Sequence, residues 1–217
     1  MSALEAAEAA VSRQRHERFQ GQTPMTVLFT ADTHFGHGGA LGLYRRPFAS
    51  VAEMDAALIE RWNRVVAPTD EIYHLGDFAV RQKPERIEAL LQALHGRKHL
   101  VTGNNDRAPA LEARGWASVQ PYLELDANGI RLVLCHYALR TWRDMAAGAL
   151  NLHGHSHGRL KPLTRQYDVG VDVCHYRPVS LAGLTASRRL ARCPAGARGD
   201  HAEVMKYQDR GLPADEP

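Results

Sequence analysis

Five short apolar segments that each end in a polar cluster constrain the fold of this chain most strongly. These segments are rich in β-branched and aliphatic residues, which is typical of buried strands. Asp, His or Asn side chains follow them directly: Asp32 and His34, Asp77, Asn104, His136, and His155 and His157. In an α/β sheet, the carboxyl ends of neighbouring strands gather at one rim, where ligand sites form. The pattern therefore predicts that these side chains converge.

The spacing of apolar residues predicts a succession of helices and strands. Strands are predicted over 25–30, 71–75, 99–102, 130–135, 149–152, 167–173 and 179–181. One helix is predicted over 51–66, where Ser50 and Glu53 form a capping box. A second helix is predicted to begin at Pro84 and to stop near Gly96.

The order of these elements predicts the fold class. Because Asn128 and Gly129 give the strongest hairpin signal in the chain, residues 119–135 are predicted to form a strand, a turn and a strand. Helices alternate with strands early, and strands then follow one another. This order predicts an α/β fold with one mixed sheet or two sheets, and with helices outside.

Length and composition predict one globular domain. The chain has 217 residues, of which 44% are hydrophobic and 24% charged. We expect a domain over residues 23–185, a helical extension over 1–22 and a polar, basic tail over 186–217. A chain of this length buries enough surface to fold without a stabilising metal, so a metal site would serve function.

Charge and cysteine content narrow the class of protein. Lys and Arg number 27 against 24 Asp and Glu, and the mixed signs argue against a dedicated nucleic-acid binder. No apolar run approaches the ~20 residues that cross a bilayer, so we expect no membrane insertion. Three scattered cysteines and the absence of a secretion signal favour a cytoplasmic location.

The chemistry of the polar clusters favours a metal site. The members of each His-containing pair, Asp32 with His34 and His155 with His157, are two residues apart. In extended backbone this spacing points both side chains to one side, so each pair is expected to hold one metal or to lie across two. Imidazole, carboxylate and amide oxygen without thiolate suit zinc, manganese or iron better than copper(I).

The ordered elements Asp-x-His, Gly-Asp, Gly-Asn-x-Asp, His and Gly-His-x-His resemble the signature of the calcineurin-like metallophosphoesterase superfamily, in its small single-domain bacterial form. They extend from Asp32 to His157, and the segment 168–172 also resembles small bacterial members. The resemblance implies a β-sandwich of two mixed sheets flanked by helices, in four αββα layers. It also implies a hydrolase acting on phosphate esters.

The resemblance further implies two metal ions, either divalent or trivalent. The first would be held by Asp32, His34, Asp77 and His157, and the second by Asp77, Asn104, His136 and His155. Asp77 would bridge them. Manganese is the expected metal, with iron, zinc, nickel and magnesium as alternatives. In such sites a hydroxide shared by the two ions attacks the phosphorus atom.

One position departs from the signature. Asn105 occupies the place of the usual histidine, which is the expected general acid. Related small proteins without this histidine resemble phosphodiesterases, so we expect a diester substrate such as a cyclic nucleotide, a nucleotide or a nucleic-acid linkage. His37 is an alternative proton donor, and Asp106 is expected to hold its loop through backbone amides or to act as a plain turn residue.

Residues near the clusters have structural interpretations as well. His74 and His153 are expected either to orient ligands or to pack structurally. Asp168 and Asp172 are expected to hold loops rather than metal.

Three other functions compete with that of a phosphoesterase. A scaffold protein with a metal site but little activity is the alternative, although every expected ligand position is filled. A metallo-β-lactamase motif fails because Gly158 and Arg159 follow His157, and the zinc-protease motif His-Glu-x-x-His is absent. The sequence leaves the oligomeric state open.

We predict that Asn105→His raises turnover of an alkyl phosphate ester more than turnover of a nitrophenyl ester. General acid catalysis typically supplies a factor of roughly 10² to 10⁴, and a poor leaving group depends on it most. Steady-state rates on the two substrates test this. Equal effects on both would contradict the interpretation that an acid is missing.

Overall fold

The computed structural model describes residues 25–161 and 163–191, and the side chains of residues 187–191 lie outside that description. The predicted extension over 1–22 and residues 192–217 of the predicted tail also lie outside it. The described part of the chain divides into two units between Leu181 and Ala182. The final helix, Leu181–Ala191, extends past the boundary that the sequence predicted at residue 185.

The first sheet has five strands in the order β4-β3-β2-β1-β9. Their bounds are Val27–Thr30 (β1), Glu71–His74 (β2), Arg97–Val101 (β3), Trp116–Gln120 (β4) and Val179–Ser180 (β9). β1 to β4 run parallel, and β9 pairs antiparallel with β1. The carboxyl ends of β1, β2 and β3 therefore lie at the same edge.

The second sheet has four strands in the order β5-β6-β7-β8. Their bounds are Tyr122–Ala127 (β5), Ile130–Cys135 (β6), Leu150–His153 (β7) and Gln166–Asp168 (β8). β5 and β6 form the predicted hairpin, in which Asn128 and Gly129 both have positive φ, as a type I′ turn requires. β6, β7 and β8 run parallel. The predicted fold of two mixed sheets with flanking helices is confirmed.

Four helices lie in the first unit, among the residues that the structure describes. They are α1 (Gly38–Leu43), α2 (Val51–Val65), α3 (Pro84–Ala93) and α4 (Ala108–Leu111), and the final helix is α5. The predicted cap of α2 is present, since Ser50 Oγ accepts a hydrogen bond from the Glu53 amide. α3 begins at Pro84 as predicted.

The helices α2 and α3 cover one face of the first sheet. Their buried apolar side chains pack with β1 and β2 in one cluster: Met54, Leu58, Trp62, Ile87, Leu90, Leu91, Leu28 and Ile72. The Trp62 indole also donates a hydrogen bond to the His95 carbonyl, 3.0 Å away. This packing fixes the strands whose ends carry the predicted site residues.

The structure corrects three details of the predicted elements. Residues 116–120 form a separate strand of the first sheet, because Pro121 interrupts the chain before β5 begins in the second sheet. The short helix α1 was missed because three of its six residues are glycines, which have low helix propensity. The strand predicted over 167–173 ends at Asp168.

Among the residues that the structure describes, no helix combines the length and the apolar character that crossing a membrane requires.

We predict that Trp62→Ala lowers the free energy of unfolding by about 3–5 kcal/mol, because it empties a buried aromatic site at the contact of α2 with the sheet. Urea unfolding followed by circular dichroism measures the change. Leu160→Ala, at an exposed position, is the control and should change stability by less than about 0.5 kcal/mol. A similar loss in both variants would contradict the packing argument.

Candidate metal centre

Backbone hydrogen bonds join the loops that follow β1, β2, β6 and β7. The Asp32 amide donates to the Gly76 carbonyl at 2.9 Å, and the Gly154 amide donates to the His136 carbonyl at 3.0 Å. His136 Nδ1 also bonds the Leu75 carbonyl at 2.7 Å, which links the second sheet to the first. The strand ends therefore meet at one rim.

Two groups of potential metal ligands occupy this rim. The ligand atoms of Asp32, His34 and His157 lie within 4.8 Å of one another, and so do those of Asp32, Asp77 and His136. Asp77 Oδ2 is 3.7 Å from His34 Nε2 and 3.7 Å from His136 Nε2, so it lies between the two groups. Asp32 belongs to both.

Several ligand atoms at the rim are buried without a hydrogen-bond partner. They are Asp32 Oδ1 and both ring nitrogens of His34. An unsatisfied buried polar atom costs about 1–3 kcal/mol, so proteins seldom leave one without a compensating group. Carboxylate and imidazole lone pairs concentrated in one buried space have the chemistry that a divalent cation requires. These residues therefore fit a metal ion.

Burial and neighbouring charges shift the pKa values at the rim. Burial raises the pKa of Asp32 well above its ordinary value, and the nearby Asp168 and Asp77 carboxylates add to this. Burial, reinforced by the Arg46 charge, lowers the pKa of His34 to about 2. His34 is consequently a neutral imidazole, which is the form that binds metal.

Asn104 and His155 lie at the solvent side of the centre, and both are exposed. Asn104 Oδ1 is 3.0 Å from His136 Nε2. The His155 ring lies 5.1 Å from the His136 ring, outside the two groups described above, while its backbone amide donates to Asp32 Oδ2 at 2.9 Å. The structure thus places His155 beside the centre but not within the compact ligand groups.

The predicted extended backbone of the two pairs is wrong. Asp32, His34, His155 and His157 all have positive φ, between 46° and 65°, and Asp77 has a φ of 59°. For a residue other than glycine, this left-handed conformation costs about 1–3 kcal/mol, and such residues concentrate at functional sites. Five of the seven predicted metal ligands adopt it, which sets their side-chain directions.

The three residues predicted for catalysis take different positions. Asn105 holds the Asp77 carboxylate. Its backbone amide donates to Asp77 Oδ1 at 2.8 Å, and its side-chain Nδ2 donates to Asp77 Oδ2 at 2.6 Å. Asp106 is buried and accepts hydrogen bonds from three backbone amides: those of Asp77, Phe78 and Gly103. His37 occupies the N-cap position of α1 without a capping hydrogen bond from its side chain, and its ring lies 5.6 Å from the His34 ring.

Sequence reasoning missed two residues at the centre, Arg46 and Tyr44. The buried Arg46 guanidinium donates to the carbonyls of Asp32 and Thr33 and to both carboxylate oxygens of Asp172. The Tyr44 ring stacks on the His157 ring, with centroids 3.5 Å apart. Both follow α1 in a loop without a recognisable motif, so only their closeness in sequence to His34 hinted at a role.

Asp172 bonds the side chains of His157 and Arg46, whereas Asp168 holds loop backbone. Burial tends to raise the pKa of Asp172, but hydrogen bonds from His157 and Arg46 outweigh it and hold that pKa below its ordinary value. Asp168 accepts from the Ser156 hydroxyl at 2.7 Å and from two backbone amides. These contacts fix the turn that carries His155 and His157.

His74 lies beneath the centre rather than in it. It is fully buried, and its Nε2 bonds Thr33 Oγ1 at 2.9 Å, while that hydroxyl donates to the Phe78 carbonyl. His153 Nδ1 bonds the Gly154 carbonyl at 2.8 Å. His74 thereby connects β2 to the residue between Asp32 and His34.

Comparison with known proteins identifies the family. The sequence model of the calcineurin-like phosphoesterase superfamily domain matches residues 25–175. This chain belongs to that superfamily. Membership supports a hydrolase that acts on phosphate esters.

Relatives of this phosphoesterase-superfamily chain occur in archaea and phages. An uncharacterized protein of Methanocaldococcus jannaschii is 29% identical over 163 residues, which cover 71% of this chain and 86% of that protein. The Gene 66 protein of Mycobacterium phage D29 is 32% identical over 181 residues, which cover 69% of this chain and 89% of that protein.

A solved structure shares the fold. It is the crystal structure of a protein of unknown function, AQ665 from Aquifex aeolicus, with a TM-score of 0.60 and 24% identity. The alignment covers 77% of this chain and 98% of that protein.

We predict that His74→Gln weakens the acid sensitivity of the metal-free protein. Complete burial lowers the pKa of His74 to about 3, whereas an unfolded histidine titrates near 6.5. Between about pH 6.5 and 3 the unfolded chain therefore binds a proton that the folded chain does not. As the pH is lowered through this range, the free energy of unfolding decreases by up to ~1.4 kcal/mol per pH unit for each such histidine.

Denaturant titrations in the presence of a chelator, repeated from pH 7 to pH 4, measure this slope. The slope of the free energy of unfolding against pH should be smaller in His74→Gln, by nearly the amount that corresponds to one proton. His175→Gln, at an exposed position, is the matched control. An unchanged slope in His74→Gln would show that His74 does not titrate in this way.

Proposed function

We propose that this chain is a metal-dependent phosphoesterase with a two-metal centre at the described rim. The observation that carries the proposal is the buried, unpartnered set of donor atoms on Asp32 and His34 beside Asp77, His136 and His157. A site of this composition has no structural need in a chain of this size. The proposed catalytic domain spans residues 23–185, and the proposed location is the cytoplasm.

The proposed ligand sets follow the superfamily signature. One cation would be held by Asp32, His34, Asp77 and His157, and the other by Asp77, Asn104, His136 and His155. Two such cations, with manganese proposed first, supply an acidified water as nucleophile and neutralise charge on the phosphoryl oxygens. The position of Asp77 Oδ2, 3.7 Å from a histidine of each set, supports its proposed bridging role.

The side chains at the rim supply preorganisation. Asn105 directs both Asp77 oxygens through its two donors. Because His136 Nδ1 donates to the Leu75 carbonyl, its Nε2 keeps the free lone pair and faces Asp77 and Asn104. The ligand atoms of Asp77 and His136 are thereby aimed before any cation or substrate binds, which reduces the reorganisation that catalysis would otherwise require.

We further propose a preference for diesters, for which Asn105 is the main support. Its amide cannot release a proton at neutral pH, so the leaving group receives little help from this position. His37 is the alternative donor. Burial, together with the Arg46 and Arg81 charges, lowers the pKa of His37 and favours its neutral form, which also limits it as an acid. Cyclic nucleotides, nucleotides and nucleic-acid linkages are the candidate substrates.

We predict that the metal-free protein binds Mn²⁺ and then hydrolyses bis(4-nitrophenyl) phosphate faster than 4-nitrophenyl phosphate. Asp77→Asn should reduce the diester rate by more than about 100-fold, since even outer partners of a metal ligand typically contribute 10–100-fold. Asp126→Asn, an exposed carboxylate on β5, is the matched control and should keep the wild-type rate.

Three other results would count against parts of this proposal. A folded protein that binds Mn²⁺ but hydrolyses neither ester would favour the scaffold alternative. A protein that binds no divalent ion would overturn the metal centre itself. Faster turnover of the monoester would overturn the diester preference alone.

A further inference from the structure

The Nδ1 atom of His157 is hydrogen-bonded to a carboxylate. It lies 2.7 Å from Asp172 Oδ2. An ionised carboxylate only accepts hydrogen bonds, so the proton of the neutral imidazole belongs on Nδ1. The lone pair of His157 is then on Nε2, which is the atom left to face Asp32 and His34.

The Asp172 carboxylate is itself fixed in place. Arg46 donates to its two oxygens from Nε and Nη2, each at 2.9 Å. The Arg46 side chain is completely buried and also donates to the carbonyls of Asp32 and Thr33, at 2.6 and 2.8 Å. One guanidinium therefore links the backbone of the Asp32–His34 turn to the carboxylate that bonds His157.

The face of the His157 ring is restrained as well. Tyr44 stacks on it with an interplanar angle of 11°, and the Arg46 and Arg159 guanidinium groups lie 5.5 Å from the Tyr44 ring centre. An edge held by Asp172 and a face held by Tyr44 leave the imidazole little freedom to rotate.

We propose that Asp172, held by Arg46, is a positioning residue that fixes His157 in the tautomer whose Nε2 binds the cation. This inference rests on the proposed metal centre and goes beyond it by assigning a function to a pair of residues outside the ligand set. A carboxylate behind a ligating histidine orients the ring and raises its basicity, and its loss typically costs 10–100-fold in metal affinity.

The tautomer of His157 is tested first, on the metal-free wild-type protein labelled with ¹⁵N in its histidines. Long-range ¹H–¹⁵N correlation spectra at pH 8.5 should show the His157 proton on Nδ1. A proton on Nε2 would overturn the inference. This measurement needs no variant and does not depend on activity.

The second test measures the Mn²⁺ affinity of Asp172→Ala by calorimetry. We expect Mn²⁺ to bind about 10–100-fold more weakly than to the wild type. Added formate, which supplies a carboxylate to the vacated space, should restore part of the affinity, whereas chloride at equal ionic strength should not. Wild-type affinity in the variant, or equal rescue by both anions, would overturn the inference.

Glu71→Ala is the matched control. Glu71 bonds His99 at 2.5 Å in another carboxylate–histidine pair, at the amino end of β2 and away from the rim. It should leave Mn²⁺ affinity unchanged, and a loss equal to that of Asp172→Ala would overturn the inference. If the wild-type protein binds no Mn²⁺, the proposed metal centre fails, whereas normal wild-type binding with an unaffected Asp172→Ala rejects the positioning role alone.

Discussion

The Asp106 carboxylate connects the two loops on which the centre depends. It accepts the amides of Asp77 and Phe78 after β2 and the amide of Gly103 after β3. Burial raises the pKa of Asp106 to about 6, against the opposing effect of these three donors. The loops approach so closely that a Cβ atom at Gly103 would collide with the Asp77 carboxylate. Glycine is therefore required there.

The left-handed backbone at the ligand positions shows how the surrounding structure offsets local strain. His155 adopts a positive φ, and its amide is thereby able to donate to Asp32 Oδ2. Asp32 and Thr33 direct their carbonyls to the Arg46 guanidinium. The hydrogen bonds of the buried Arg46 side chain and of the Asp32 carboxylate thus stabilise conformations that an isolated chain would avoid. Strain and its compensation lie in the same few residues.

The convergence of the strand ends was predictable because it follows from chain topology. Asp32 and Asp77 each follow a parallel strand of the first sheet, and a sheet brings such positions together whatever the loops do. His136 follows β6 of the second sheet, and its bond to the Leu75 carbonyl brings it to the same rim. The backbone of Asp32 and His34 was not predictable in the same way. Its conformation depends on hydrogen bonds to residues distant in sequence, and spacing alone carries no information about them.

The contacts of the Arg46 and Tyr44 side chains were not predictable from the sequence either. Neither belongs to a motif, and the bond from Arg46 to Asp172 spans 126 residues of sequence. Buried polar partners are paired in the folded chain, but sequence does not say with whom. The helices and the hairpin were predicted better because their signals, such as Ser50 with Glu53, act between neighbours.

The amide at position 105 changes what this part of the rim is able to do. An imidazole there would provide one side chain proton for transfer, whereas Asn105 uses its donors to hold both oxygens of Asp77. Asp106, the next residue, has its oxygens directed at three backbone amides. Both residues therefore support ligand geometry rather than proton transfer. This arrangement supports the proposed preference for substrates whose leaving group departs without protein assistance.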